Sequence, residues 1–96
     1  MTVVLPIKEE WGIRGESIQV RAEAQDLVSR FKELIVEKLP EGANFGVGKQ
    51  NLRVGAGNGA ASAEGLAMKN TANLAFYNLR DGGEIVVTIR ERGGKK

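Results

Sequence analysis

Apolar residues recur at every second position near the start of the chain, where Val3, Leu5 and Ile7 share one side of an extended segment over 2–7. That period predicts a strand with one buried face. Lys8 to Ser17 is charged and carries Gly12 and Gly15, which marks a long connection. Ile18, Val20 and Ala22 then alternate with Gln19, Arg21 and Glu23, as expected of a second strand that pairs back on the first with its other face wet. From Asp26 to Leu39 the period lengthens: Leu27, Val28, Phe31, Leu34, Ile35 and Leu39 form one helical stripe. Asp26 falls at the first turn, where a carboxylate suits the orphan amides and the positive dipole end, and Pro40 with Gly42 closes the helix.

Leu52 and Val54 predict a third strand over 51–54, and Leu66 with Met68 a short edge strand. Leu74, Phe76, Tyr77 and Leu79 predict a tight helical turn, and Asp81-Gly82-Gly83 a turn into a last strand through Ile85, Val87 and Ile89. The intervening run 55–63 holds only small or flexible side chains, so a mobile surface loop is expected. It is not a phosphate loop, because no helix and no Lys-Ser/Thr pair follows it. The order of elements fits an α+β fold of the β-grasp kind: a mixed sheet of four to five strands packed on one α-helix, the final strand running parallel beside the first. Periodicity alone also fits other small α+β arrangements.

With 96 residues the chain makes one domain. It has no cysteine and no histidine, which removes disulfides, thiolate zinc sites and the usual imidazole base. The carboxylate pairs Glu9-Glu10 and Glu33-Glu37 stand without a histidine or a metal-ligand set, so no catalytic role, metal or cofactor is expected. No stretch approaches the roughly 20 apolar residues of a membrane span, and the opening run lacks the basic start of a secretory signal. Charge is unevenly placed. Residues 1–48 carry 6 Lys/Arg against 8 Asp/Glu, a net −2, whereas 49–96 carry 8 against 4, a net +4. Arg90, Arg92, Lys95 and Lys96 crowd the last seven residues with only Glu91 opposing them, so an anionic partner would meet the C-terminus.

Several short motifs carry a resemblance. From Ile18 to Gly94 the chain resembles ubiquitin in its helix, in Q-N-L-R-V after Gly48-Lys49, in L-x-x-Y-N-L at Leu74 to Leu79 and in R-x-R-G-G at Arg90 to Gly94. It is more closely similar to the C-terminal ubiquitin-like domain of the largest subunit of splicing factor 3a. The matching motifs are E-W-x-I-x-G at Glu10 to Gly15, G-K-Q at Gly48 to Gln50, L-A-F-Y-N at Leu74 to Asn78, and E-R-G-G followed by basic residues at Glu91 to Lys96. The resemblance implies a nuclear, noncatalytic module that binds a double-stranded stem-loop of a small nuclear RNA. Such a module would be monomeric in isolation and would meet other spliceosomal proteins through the rest of a longer subunit. On this reading residues 1–90 form the ubiquitin-like domain and 91–96 a flexible basic tail. The implied RNA-facing residues are Lys49, Phe76, Tyr77, Arg90, Arg92, Gly93, Gly94, Lys95 and Lys96, with Lys69 a weaker member. Departures are Asn51 in place of a second lysine, Phe76 in place of the first tyrosine of a pair, one basic residue fewer in the tail, and an inserted-looking loop at 55–63.

Physical chemistry supports those roles unevenly. An RNA duplex hides its base edges in a deep, narrow major groove and rewards cations along its phosphates. Gly93 and Gly94 would let a backbone run close to a groove wall, with Arg92 offering a two-pronged contact and the lysines mobile charges. Tyr77 admits two readings, stacking on a loop base or packing into the domain and holding a loop through its hydroxyl. Lys49 follows Gly46 and Gly48 at an exposed strand start. Trp11 is expected to fold back on the sheet edge rather than bind a partner. Two other functions stay open: a modifier conjugated through Gly94 after removal of Lys95 and Lys96, and a protein-interaction module using the open sheet face. For the latter, Gln19, Arg21 and Arg53 are a poor apolar patch.

Overall fold

The computed structural model describes residues 1–43 and 45–90. Five elements follow the predicted order: β1 (Thr2–Pro6), β2 (Ser17–Arg21), α1 (Val28–Lys38), β3 (Gln50–Val54) and β4 (Ile85–Ile89), with 3-10 turns at Glu9–Trp11, Val47–Lys49 and Leu74–Tyr77. β1 and β2 pair antiparallel, Val3 opposite Val20, and β3 and β4 pair antiparallel, Leu52 opposite Val87. The inner strands β1 and β4 lie parallel, joined by a bridge between Val4 and Glu84 and by the Val4 N–H donating to the Gly83 carbonyl at 2.9 Å. The result is an α+β fold compatible with a ubiquitin-like grasp. Alternation places Leu5 and Val20, then Leu52, Val54, Ile85 and Val87, on the side that meets Val28, Phe31 and Ile35 of α1 in one buried cluster.

The edge strand expected at Leu66 and Met68 is reduced to a single antiparallel bridge between Ala67 and Arg53. Its ladder stops for two reasons. Gly65 turns the chain on one side at a φ of 89°, and the Tyr77 hydroxyl takes the Lys69 N–H on the other. The helix also begins later than Asp26. Its first amides are met by distant carbonyls, Val28 N–H donating to Ala72 and Ser29 N–H to Asn70, while the Asp26 carboxylate accepts from the Glu23 N–H at 2.9 Å. Asp26 therefore closes the turn before the helix and does not cap it.

The glycine and alanine loop is not wholly a surface feature. Gly55 is buried, and Asn58 sits 2% exposed at its centre. The Asn58 amide donates to the Gly55 carbonyl at 3.2 Å and the Glu84 carbonyl at 2.9 Å, and its carbonyl accepts from the Arg80 N–H at 2.9 Å. One asparagine thus ties the loop to both ends of the turn that leads into β4. Trp11 folds back as expected: it is buried, its indole N–H donates to the Val87 carbonyl at 3.1 Å, and its ring meets Phe45 at 5.4 Å between centroids. That bond fixes the Lys8 to Ser17 connection against β4, the strand that precedes Arg90.

Candidate nucleic-acid interface

Strand alternation decides which side chains of the β3–β4 pair face away from the helix. In β3 Gln50, Leu52 and Val54 are buried, so Asn51 and Arg53 are exposed on the other face. Asn51 lies opposite Thr88 and Arg53 opposite Val86. Lys49 immediately precedes β3, and its carbonyl accepts the N–H of Arg90 just past β4, so these two exposed cations sit abreast at one end of the pair. Lys49, Arg53 and Arg90 therefore share the neighbourhood of one strand pair, and the chain leaves that pair toward residues 91–96.

Of the remaining described candidates, Lys69 lies beside the free edge of β3, Tyr77 reaches it, and Phe76 adjoins Tyr77. The Met68 N–H donates to the Leu52 carbonyl at 2.9 Å, which carries the chain along that edge to exposed Lys69. Tyr77 is 4% exposed and its hydroxyl accepts the Lys69 N–H at 2.7 Å. Its oxygen is committed to the protein, which is the packing reading of the two. Phe76 is 68% exposed and stands edge-on to Tyr77 with centroids 5.0 Å apart. The Asn73 side chain fixes the turn by accepting the Phe76 N–H at 2.9 Å, and Asn78 takes the left-handed conformation that ends it. The aromatic presented to solvent is thus Phe76, not Tyr77. Arg92, Gly93, Gly94, Lys95 and Lys96 lie outside the described residues.

The electrostatics of this region are one-sided. Among the described residues the ion pairs are those of Arg30 with Glu33 at 2.9 Å and with Glu37 at 3.9 Å, both on the exposed face of α1. None of Lys49, Arg53, Lys69 or Arg90 has a carboxylate partner there. Lys32 adds a cation that the helical stripe does not single out. It is 8% exposed, and burial pushes its ammonium below the usual lysine range, with the charge of Arg90 acting in the same direction. The Gln50 amide donates to the Lys32 carbonyl at 3.1 Å and holds this turn of the helix on β3. Arg53 and Lys32 are the residues that the sequence reading left out of the site. Arg53 was reachable from the two-residue period of Q-N-L-R-V after Lys49.

Among the described residues no group of histidine, cysteine, aspartate and glutamate side chains could hold a metal ion, and no helix is long and apolar enough to cross a membrane. No family model matches the chain. Over 89 residues, 93% of its length, it is 32% identical to splicing factor 3A subunit 1 of Mus musculus, Bos taurus and Homo sapiens. The similarity falls in the C-terminal region of those proteins, and the chain spans 10% of their length.

Proposed function

Because the chain is a relative of the C-terminal region of splicing factor 3A subunit 1, we propose that it is a noncatalytic RNA-binding module of a nuclear pre-mRNA splicing factor. Its ligand is a double-stranded stem-loop of a small nuclear RNA, and its other partners are spliceosomal proteins met through a longer subunit. The observation that carries this reading is the β3–β4 pair, which gathers Lys49, Arg53 and Arg90 without a carboxylate partner among the described residues and leads into the Arg-Gly-Gly-Lys-Lys sequence. Cations in that arrangement release counterions from a phosphate backbone. Phe76 supplies a ring for a loop base, Lys69 a charge beside it, and the tail Arg92 to Lys96 enters a groove. Tyr77 positions Lys69 and Phe76 from beneath.

A chemical-shift titration with a short RNA hairpin tests this. Shifts concentrated at Lys49, Lys69, Phe76, Arg90 and the tail are expected, and removal of Gly93 to Lys96 should abolish most of the binding. Equal binding by the truncated chain, or shifts confined to the exposed face of α1, would overturn the reading. Exposed Arg53, Asn51 and Gln19 on the open sheet face disfavour a receptor for apolar peptide patches.

A further inference from the structure

Lys32 lines a concavity of about 250 Å³ together with Asn51, Arg53 and Thr88, above an apolar floor that includes Met68. Asn51 and Thr88 lie directly opposite one another across the β3–β4 pair, and Arg53 follows two residues along the same exposed side of β3. Four residues whose side chains can donate hydrogen bonds, Lys32, Asn51, Arg53 and Thr88, thus line one depression. No carboxylate lines it. Lys32 is more than nine-tenths buried and forms no ion pair among the described residues. Partial burial of the side chain and the nearby charge of Arg90 both disfavour its ammonium, and an anion seated beside it would offset both. The guanidinium of Arg53 spends one N–H on the Gly65 carbonyl at 2.8 Å and has others to give.

We propose that this concavity is an anion subsite that takes one phosphate group of the bound RNA backbone, with Lys32 as its counter-ion and Arg53, Asn51 and Thr88 as hydrogen-bond donors. The inference rests on the RNA-binding reading and adds to it a contact made from the helix. A phosphate is favoured over a base because no aromatic side chain lines the site. Nucleic acid is favoured over an acidic peptide because the depression is continuous with the cationic face of β3 and β4.

The test uses the full chain, with inorganic phosphate and then an RNA hairpin followed by chemical shifts at Lys32, Asn51 and Thr88. Phosphate is expected to shift these three signals saturably, and the hairpin to displace it. Lys32→Met should abolish the phosphate response, weaken hairpin binding about tenfold and reduce the salt slope by about one. Lys32→Arg should restore part of the binding. If Lys32→Met does not fold, Arg53→Gln and Thr88→Val carry the same expectation. Should the hairpin bind wild type and Lys32→Met alike, with shifts at Lys49 and Phe76 and none at Thr88, the subsite is wrong while the RNA reading stands. Should phosphate bind and the hairpin fail to displace it, the proposed source of the phosphate is wrong. If the hairpin fails to bind at all, the RNA reading falls with it.

Discussion

If the module binds RNA as proposed, the adjacent aromatics of the Leu74–Tyr77 turn should divide stability from recognition, and a pair of single substitutions separates the two. Tyr77→Phe removes only the hydroxyl that accepts the Lys69 N–H at 2.7 Å, leaving a ring of nearly the same volume in a site 4% exposed. Lys69 is exposed, so water can reach the freed N–H, and the loss sits near the middle of the usual range for a hydrogen bond, about 1 kcal/mol. For a domain of this size that is roughly 4–8 °C in Tm. Phe76→Ala should behave in the opposite way. Its ring is 68% exposed and contributes little packing, so stability should move by no more than about 0.5 kcal/mol. Loss of one base–aromatic stack, about 1–3 kcal/mol, would weaken hairpin affinity roughly 5- to 150-fold. Thermal unfolding and fluorescence anisotropy with a labelled hairpin read the two quantities independently. If Phe76→Ala binds as wild type does while Tyr77→Phe loses binding at full stability, the assignment of the two rings is refuted.

Four further substitutions address the fold and Lys32. Asn58→Ala removes four hydrogen bonds, one of them long at 3.5 Å, from the centre of the 55–63 loop and should cost about 2–3 kcal/mol in urea unfolding. Gly83→Ala should also destabilise, since a Cβ there would lie 1.9 Å from the Asn58 side-chain oxygen, and the penalty should shrink in the Asn58→Ala background; strict additivity would contradict the contact. Trp11→Phe gives up the bond to the Val87 carbonyl and part of the indole's volume, for an expected loss of about 2–3 kcal/mol by the same measurement. Lys32→Met should raise stability slightly at neutral pH, because partial burial and the charge of Arg90 disfavour the ammonium. The folded state holds that proton less tightly than the unfolded chain, so the advantage is present below the lowered folded-state pKa. It should shrink as pH rises from there toward the value of a free lysine. A stability difference that stays flat through that alkaline window would show that charge is not its cause.

Period and spacing made much of the molecule legible, and the misses share a physical origin. Val3 and Leu5, Leu52 and Val54, Ile85 and Val87, and the stripe Val28, Phe31 and Ile35 all lie in the core, because burial of one face is a local property of alternation. The helix start was displaced from Asp26 to Val28 by carbonyls of Ala72 and Asn70, partners more than 40 residues away that no local capping rule contains. Asn58 looked like loop filler for the same reason: its partners include Arg80 and Glu84. Lys32, at the rim of the helical stripe, became buried when β3 and the Ala67–Met68 segment closed over that flank. Of the residues the motifs pointed to, Lys49 and Arg90 lie at one end of the β3–β4 pair, Lys69 lies beside β3, and Phe76 is exposed in the neighbouring turn. The motifs could not distinguish buried Tyr77 from exposed Phe76, because adjacent residues of a turn differ only in the direction their side chains take.

On the proposed function, the cations around β3 and β4 act together on a phosphate backbone. The salt dependence of hairpin binding, compared between wild type and the triple variant Lys49→Gln, Arg53→Gln, Arg90→Gln, measures it most directly. If each cation meets a phosphate, the slope of log affinity against log salt should fall by about two to three in the variant, with affinity at low salt reduced accordingly. An unchanged slope and affinity in a folded triple variant would contradict the claim.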